Sequence, residues 1–423
     1  MLLYSQGSPT TNLSDEDLAA GLTSALTKLG ERSKVLLVPP DFSRFYSKSG
    51  PLACAAASFY GDALADVLPA LGTHFPMSED QIDRMYPTLP RDKIRPHRWR
   101  EDVITIGKVP AAFVSEVTGG VWEREWPAQL NKLVWEGGHD LILSIGQPVP
   151  HEVIGVANGN KNLFVGTGGE AGINESHYIG SVYGTELMMG RPNTCLRKIL
   201  NYAEDTFCDH LPIIYAQTVI GADHDGNLVT RGLFVGDREA FEAAAKLAVE
   251  VNFNHLDEEL DKVVVLMDPD EFHSTWIGNK GIYRTRMAIA DGGELVILAP
   301  GVRTFGEDPE IDRMIRKYGY RTSAEVIRLV EENEDLRSNL GAAAHLIHGS
   351  PEGRFTVTYC PGHLTRQQIE DVGYQYADLD EMMARYQPEG RSDGWHTTAD
   401  GERFYFIGTP ALGLWAAKSR LLQ

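Results

Sequence analysis

Short runs of consecutive apolar residues recur along the chain and predict strands of a parallel β-sheet. The first convincing runs are residues 34–40 and 140–146, and each continues directly into a segment rich in polar side chains. Uninterrupted apolar runs of this length are typical of strands that helices bury on both faces. Residues 51–71 carry small and apolar side chains at helical spacing, so a helix is predicted after the first strand.

The same pattern restarts near residue 260 and predicts a second α/β unit. Strands are expected at residues 261–267, 293–300, 355–359 and 404–407, and helices at residues 283–290, 323–333 and 367–378. The sequence therefore predicts an α/β protein with two α/β domains, mostly parallel sheets and an active site in the cleft between the domains. The expected domains are residues 1–258 and 259–423, and the last segment is left open to return to the first domain.

Composition and charge restrict the class of protein. The chain of 423 residues is 43% hydrophobic and 23% charged, as in ordinary soluble globular proteins. Its net charge of −20 argues against a nucleic-acid partner, which needs a positive footprint. No apolar run is long enough to predict a membrane span, and no signal peptide is predicted. The four cysteines are scattered without a close pair, which favours reduced thiols in a cytoplasmic protein.

Candidate chemistry concentrates in residues 150–180, which combine many glycines with His151, Lys161 and His177. Glycines allow a backbone to approach a phosphate closely. Histidine offers metal ligation and proton transfer, and lysine offers a charge or an amine for covalent attachment. Each signal is ambiguous alone, because the glycine segment at residues 166–172 equally fits a flexible loop, and Lys161 equally fits a solvated charge.

Two other polar segments follow apolar runs. Asp41 and Arg44 come just after the first predicted strand, where they fit an ordinary ion pair or a site for an anion. His74 lies shortly before Ser78, which predicts the N-terminus of a helix because acidic residues follow it. A lone histidine is more often structural. Polar groups beyond the ends of parallel strands, however, lie where α/β proteins place their ligands.

Taken together and in this order, these segments resemble the lactate racemase family, whose members use a nickel-pincer nucleotide. Residues 72–77, Gly-Thr-His-Phe-Pro-Met, match the family's Gly-Thr-His-x-Pro-Met without change. Residues 41–45 match its Asp-x-Thr-Arg-Pro loop, with serine in place of threonine and phenylalanine in place of proline. The Pro-His pair at residues 150–151, followed by Lys161 and His177, matches the family's spacing. The resemblance covers most of residues 34–180 and extends more loosely through the second domain.

The resemblance implies a role for each matching residue. Lys161 would be tethered through a thioamide to pyridinium-3-thioamide-5-thiocarboxylic acid mononucleotide nickel, and His177 would be the protein ligand to nickel. His74 and His151 would be the acid/base pair. The residues expected to hold the cofactor or a substrate anion are Asp41, Ser43, Arg44, Gly166, Gly168 and Gly169. The first domain would bind the cofactor and carry catalysis, the second would close over the substrate, and cofactor-biosynthesis proteins would be needed as partners.

The chemistry of a 2-hydroxy acid agrees with this assignment. The hydrogen on its carbinol carbon is poorly acidic, so inversion through a carbanion faces a large barrier. Hydride transfer through a planar 2-keto acid avoids that barrier, while a histidine takes and returns the hydroxyl proton.

The substrate side departs from the family pattern. Family members carry a Tyr-Gln-x-x-Lys stretch that faces the substrate. The nearest match here is Tyr283, Arg284 and Arg286, with arginine in place of glutamine and no lysine. The added donors favour a sugar acid such as gluconate and hence a 2-epimerase. A racemase of a short acid such as lactate or malate is the alternative, and a non-catalytic homologue that binds a nucleotide or anion is a third hypothesis. The sequence leaves the exact substrate and a homo-oligomeric state open.

Overall fold

Parallel strands with fully buried side chains form the centre of the first sheet. In the computed structural model, which describes residues 1–223 and 227–421, this is a six-stranded sheet. Its order is β1 (Leu2–Gly7), β10 (Leu228–Gly236), β9 (Ile213–Ala222), β6 (Leu141–Gly146), β2 (Val35–Val38) and β3 (Leu64–Val67). Strands β9, β6, β2 and β3 are parallel, and β1 and β10 are antiparallel to their neighbours. Every residue of β2 and β6 is buried, as their apolar runs predict.

Helices cover the first sheet, and short strand pairs accompany it. The helices are α1 (Asp15–Leu29), α2 (Ser49–Tyr60), α3 (Glu79–Met85), α4 (Ala111–Thr118), α5 (Lys132–Glu136), α6 (Asn160–Phe164), α8 (Cys195–Phe207) and α9 (Arg238–Asn252). The short strands are β4 (Val103–Val109), β5 (Trp126–Asn131), β7 (Pro150–His151) and β8 (Gly155–Val156). Short 3-10 segments lie at Phe42–Ser47, Gly61–Ala63 and Arg91–Lys93. Apolar faces of α1 and α2 join β2 and β6 in one continuous core.

The second sheet is parallel except at one edge. Its order is β15 (Gln375–Tyr376), β14 (Thr356–Pro361), β13 (Ile289–Ala299), β12 (Leu260–Leu266), β17 (Arg403–Ile407) and β16 (Gly394–Thr397). Only β16 is antiparallel to its neighbour. A separate parallel pair consists of β11 (Phe253–Leu256) and β18 (Leu414–Ala417). The accompanying helices are α10 (Thr275–Gly278), α11 (Lys280–Thr285), α12 (Pro309–Tyr318), α13 (Ser323–Glu332), α14 (Glu334–Arg337), α15 (Leu340–His348), α16 (Arg366–Asp371), α17 (Leu379–Tyr386) and α18 (Lys418–Leu421).

The chain divides into two compact units, and one helical segment that interrupts the sequence of the first unit belongs to the second. Met1–Ser176 and Gly190–Val251 form the first unit, and His177–Met189 joins residues 252–421 in the second. Helix α7 (Glu170–Met188) therefore begins in one unit and ends in the other. The predicted α/β class with mostly parallel sheets is confirmed. The roles predicted for two domains, cofactor binding and closure over a substrate, stay predictions.

Three predicted helices differ from the structure. The helix predicted to reach residue 71 ends at Tyr60, because Gly61 adopts a positive φ of 51° and β3 follows it. The helix predicted at residues 367–378 ends at Asp371, since Gly373 has a φ of 94° and the chain then pairs as β15. The helix expected at residues 283–290 begins earlier as α11, and its last residues start β13. No helix among the described residues is long and apolar enough to cross a membrane.

Candidate active site

The polar segments predicted from the sequence follow three adjacent parallel strands of the first unit. Asp41 lies just beyond β2, His74 lies beyond β3, and His151 lies beyond β6. Because β3, β2 and β6 are neighbours and run in the same direction, their carboxyl ends meet at one edge of the sheet. The fold therefore brings together side chains that are far apart in the sequence.

Asp41 and His74 form a close hydrogen-bonded pair at this edge. Asp41 Oδ2 lies 2.6 Å from His74 Nδ1, and the Ser43 hydroxyl donates to Asp41 Oδ1 at 2.6 Å. Burial alone would raise the pKa of Asp41, but the charge of His74 and hydrogen bonds from His74 and Ser43 lower it below its ordinary value. Asp41 therefore stays ionised at neutral pH and orients the His74 ring.

The glycine-rich segment at residues 166–169 is a tight turn held against the His74 loop. The backbone N–H of Gly72 donates to the carbonyl of Gly166 at 2.8 Å. His97 Nε2 donates to the carbonyl of Gly168 at 3.0 Å, and burial lowers the pKa of His97 to about 4, so its ring is neutral. A Cβ at Gly168 would collide with the Phe164 carbonyl, and one at Gly169 would lie 2.6 Å from Gln129 Oε1. The backbone is thus packed more closely than any side chain would allow.

Lys161 is partly exposed near the start of α6, and charges of both signs act on its amine. Burial, followed by the charge of Arg44, lowers the pKa of Lys161 to about 8. The charges of Asp41 and Glu152 act on the same amine in the opposite direction. Lys161, Arg44 and Asp41 therefore lie within electrostatic reach of one another in the first unit. At neutral pH a larger fraction of this amine is therefore unprotonated than in an ordinary lysine.

His151 is held in a defined tautomer by its own turn. The backbone N–H of Val153 donates to His151 Nδ1 at 3.0 Å, so in the neutral ring the proton is carried by Nε2. His74 has the opposite arrangement, since its Nδ1 proton is bound by Asp41 and its proton-accepting lone pair is on Nε2. The two neutral histidines thus differ chemically: His74 Nε2 is a proton acceptor, and His151 Nε2–H is a hydrogen-bond donor.

Asn162 attaches the helix that carries Lys161 to the end of the sheet. Its buried amide donates to the Val38 carbonyl and to Ser144 Oγ, both at 3.0 Å. We expect Asn162→Ala to lower the free energy of unfolding by about 1–3 kcal/mol, because two buried acceptors lose their donor. Urea denaturation measures this change, and exposed Asn12→Ala is the control, with an expected change below about 0.5 kcal/mol. Equal stability of the two variants would contradict the anchoring role.

The other predicted site residues belong to the second unit. His177 lies on the part of α7 that packs there, and its charge acts on buried His345, whose pKa burial lowers well below its ordinary value. Arg284 is fully buried and donates to the Gly413 carbonyl at 3.1 Å. Arg286 Nε donates to Glu186 at 3.2 Å. The substrate role predicted for Tyr283, Arg284 and Arg286 stays a prediction.

Sequence reasoning missed several polar residues of the second unit. Lys280 is buried at the start of α11, with Nζ 3.6 Å from Glu271 and 5.1 Å from the Phe272 ring centre. An aromatic residue four positions before a lysine was the available signal, since Trp276 and Lys280 have the spacing of the family's Tyr-Gln-x-x-Lys stretch. His345 is buried on α15, where the Tyr320 hydroxyl lies 2.7 Å from its Nε2.

Two buried amides at the edge of the first sheet were also missed. Gln147 directly follows β6, and Gln217 lies in β9 opposite Gly146. Gln147 Nε2 and Gln217 Oε1 are both buried without a hydrogen-bond partner in the described part of the chain. Such atoms cost about 1–3 kcal/mol each unless something satisfies them, so they offer a donor and an acceptor to a ligand. Among residues 1–223 and 227–421, no group of three or more His, Cys, Asp or Glu side chains is arranged to hold a metal ion.

Two solved structures share this architecture. A protein from Thermotoga maritima, solved as a structural genomics target, matches with a TM-score of 0.81 and 24% identity over 98% of this chain and 100% of that chain. The lactate racemase apoprotein from Thermoanaerobacterium thermosaccharolyticum matches with a TM-score of 0.70 and 16% identity over 96% of this chain and 93% of that chain. No protein-family model and no curated protein matches the sequence. The fold implied by the resemblance is confirmed: the chain has the fold of the lactate racemase apoprotein.

Proposed function

We propose that this chain is a divergent member of the lactate racemase family and an isomerase that inverts C2 of a 2-hydroxy acid. One observation carries the proposal: the Asp41–His74 pair lies within electrostatic reach of a lysine whose amine has a lowered pKa. The pair offers a group for proton transfer, and the lysine offers an amine for covalent attachment. The fold shared with the lactate racemase apoprotein supports the same activity.

The residues of the first unit fit a nickel-pincer nucleotide. The Lys161 amine would hold it covalently, and the resemblance assigns Gly166, Gly168 and Gly169 to its phosphate. The unpartnered amide atoms of Gln147 and Gln217 are suited to polar groups of such a ligand. The nickel ligand assigned by resemblance is His177. When bound, this cofactor would supply a reversible hydride acceptor.

The side chains of the chain would handle the proton and orient the substrate. His74 Nε2 would take the hydroxyl proton of the substrate and later return it, while Asp41 stabilises the imidazolium that forms. His151 Nε2 would donate a hydrogen bond to the substrate oxygen as it gains negative charge. Arg44 would pair with the substrate carboxylate, because a guanidinium can form two parallel hydrogen bonds with a carboxylate.

Within this class we propose a sugar acid such as gluconate as the first substrate to test, followed by malate and lactate. Arg284 and Arg286 suggested the larger substrate because they add hydrogen-bond donors. Both already donate to groups in the second unit, the Gly413 carbonyl and Glu186 respectively. The substrate screen therefore needs short acids as well as aldonates.

The proposal is tested with full-length protein produced together with the cofactor-making enzymes. We expect an intact mass above that of the bare chain, stoichiometric nickel, and inversion of a 2-hydroxy acid labelled with deuterium at C2. The label should stay in the product, since a hydride route keeps it whereas a carbanion route exchanges it with water. An intact mass equal to that of the bare chain, together with an absence of nickel, would contradict the cofactor assignment. Loss of the label during inversion would overturn the hydride route.

A further inference from the structure

A buried arginine holds the segment that leads into Lys161. Arg197 lies on α8 and is 3% exposed. Its Nη2 donates to the carbonyls of Val156 at 2.7 Å and Asn158 at 3.1 Å, and its Nη1 donates to the side chain of Asn160. One guanidinium thus contacts three residues of the five that precede Lys161.

The contacts around Arg197 continue into a partly buried network. The Asn160 amide donates to Asn201 Oδ1 at 2.7 Å and to Glu204 Oε2 at 3.0 Å, so its oxygen faces Arg197. The guanidinium also lies 4.2 Å from the centre of the Phe241 ring. A Cβ at Gly159 would lie 2.8 Å from the same ring, and the φ of Gly159 is 61°. The segment therefore has one packed conformation that depends on the planar, charged group of Arg197.

Burying an arginine without a directly paired carboxylate is energetically expensive. Burial lowers the pKa of Arg197 to about 9, which shows how far its surroundings oppose the charge. A neutral side chain of similar size would pack on Phe241 without that cost. The site therefore gains something that only a forked cation supplies, namely donors for carbonyl oxygens at two positions of the segment.

We propose that Arg197 is a positioning residue, which fixes residues 156–160 and thereby aims the Lys161 amine at its reaction partner. The charge of Arg197 also contributes to the lowered pKa of Lys161, after burial and the charge of Arg44. The inference rests on the proposed function only for the identity of the group that Lys161 carries. The order and reactivity of Lys161 can be measured without any cofactor.

The test uses full-length cofactor-free protein and the amine reagent trinitrobenzenesulfonate. Arg197→Met removes the charge and the donors, and Arg197→Lys keeps the charge but removes the planar fork. Arg231→Met is the matched control, because Arg231 also donates to two backbone carbonyls, those of Thr11 and Ala222, outside residues 156–160 and their network. The readouts are hydrogen–deuterium exchange of residues 156–162 and the pH dependence of Lys161 modification relative to exposed Lys132 in the same digest.

In Arg197→Met we expect exchange of residues 156–162 to rise on the order of tenfold or more and the pH midpoint of Lys161 modification to move upward from about 8. In Arg197→Lys the exchange should rise similarly while the midpoint stays near the wild-type value, since the charge is kept. Arg231→Met should leave both readouts unchanged. If Arg197→Met does not fold, Arg197→Lys alone decides.

Wild-type exchange over residues 156–162 in the folded Arg197 variants would overturn the positioning role. So would a rise in exchange spread evenly over the protein, because that pattern indicates a general loss of stability. This test and the test of the proposed function can fail independently of each other. Wild-type protein that acquires no nickel would end the cofactor assignment while leaving the measured order of Lys161 intact.

Discussion

Replacing Lys161 with methionine is expected to abolish the covalent mass increase that the protein acquires when it is made together with the cofactor-making enzymes. The thioamide tether needs a side-chain amine, and methionine has similar length without one. Burial lowers the pKa of the Lys161 amine. A pKa of about 8 leaves on the order of a few hundred times more free amine at pH 7 than a pKa of 10.5 does.

Intact mass spectrometry and nickel analysis measure this effect. Lys132→Met is the matched control, because Lys132 is exposed and should keep the full adduct. Lys161→Arg keeps a positive charge but should also lose the adduct, which separates attachment from electrostatics. An adduct of unchanged mass in Lys161→Met would show that another residue carries the tether.

Replacing His74 with glutamine is expected to lower kcat by about 10²- to 10⁴-fold, the usual contribution of a positioned general base. Glutamine fills similar space and forms hydrogen bonds, but it does not take the substrate proton. The adduct and the nickel content should stay at wild-type levels, because His74 acts on the proton and not on attachment. Exposed His210→Gln is the matched control and should retain normal turnover.

The pH profile distinguishes a catalytic role of His74 from a structural one. Asp41 has a lowered pKa, so it stays ionised as the pH falls through the neutral range, and the acid limb of kcat/KM then reports His74. In Asp41→Asn the His74 imidazolium loses its anionic partner, so the acid limb should move to lower pH. Normal turnover by His74→Gln with every substrate that wild-type protein inverts would remove His74 from the proposed mechanism.

Local patterns were sufficient for the strands that build both sheets. The structure confirms the strands that apolar runs predicted, namely β2, β6, β12, β13, β14 and β17. The predicted cap at Ser78 is also confirmed, since its side chain accepts from the Gln81 N–H at the start of α3. These elements were predictable because a strand covered on both faces and a capped helix end are recorded in a few consecutive residues.

The errors arose where helix and strand preferences compete. Residues 61–71 are as small and apolar as the helix before them, so the local pattern continues past its end. Pairing with β2 decides the outcome, because Leu64–Val67 gains ladder hydrogen bonds on the open side of that strand. The same competition ends α16 before β15. Such pairings depend on distant residues, which no short window of sequence contains.

The sequence by itself determined the order of the chemical motifs, the α/β class and the resemblance that joins Asp41, His74, His151, Lys161 and His177 to one chemistry. The tertiary structure decided which side chains meet and in what state. It places Asp41 against His74 and assigns opposite tautomers to His74 and His151. It also bonds Arg197 to the segment that precedes Lys161. It also assigns His177 to the second unit, directly after the first unit's Ser176. Parallel strands bring residues from distant parts of the chain to one edge of the sheet, and burial there changes their ionisation. Local sequence therefore predicts neither which side chains meet nor their protonation states.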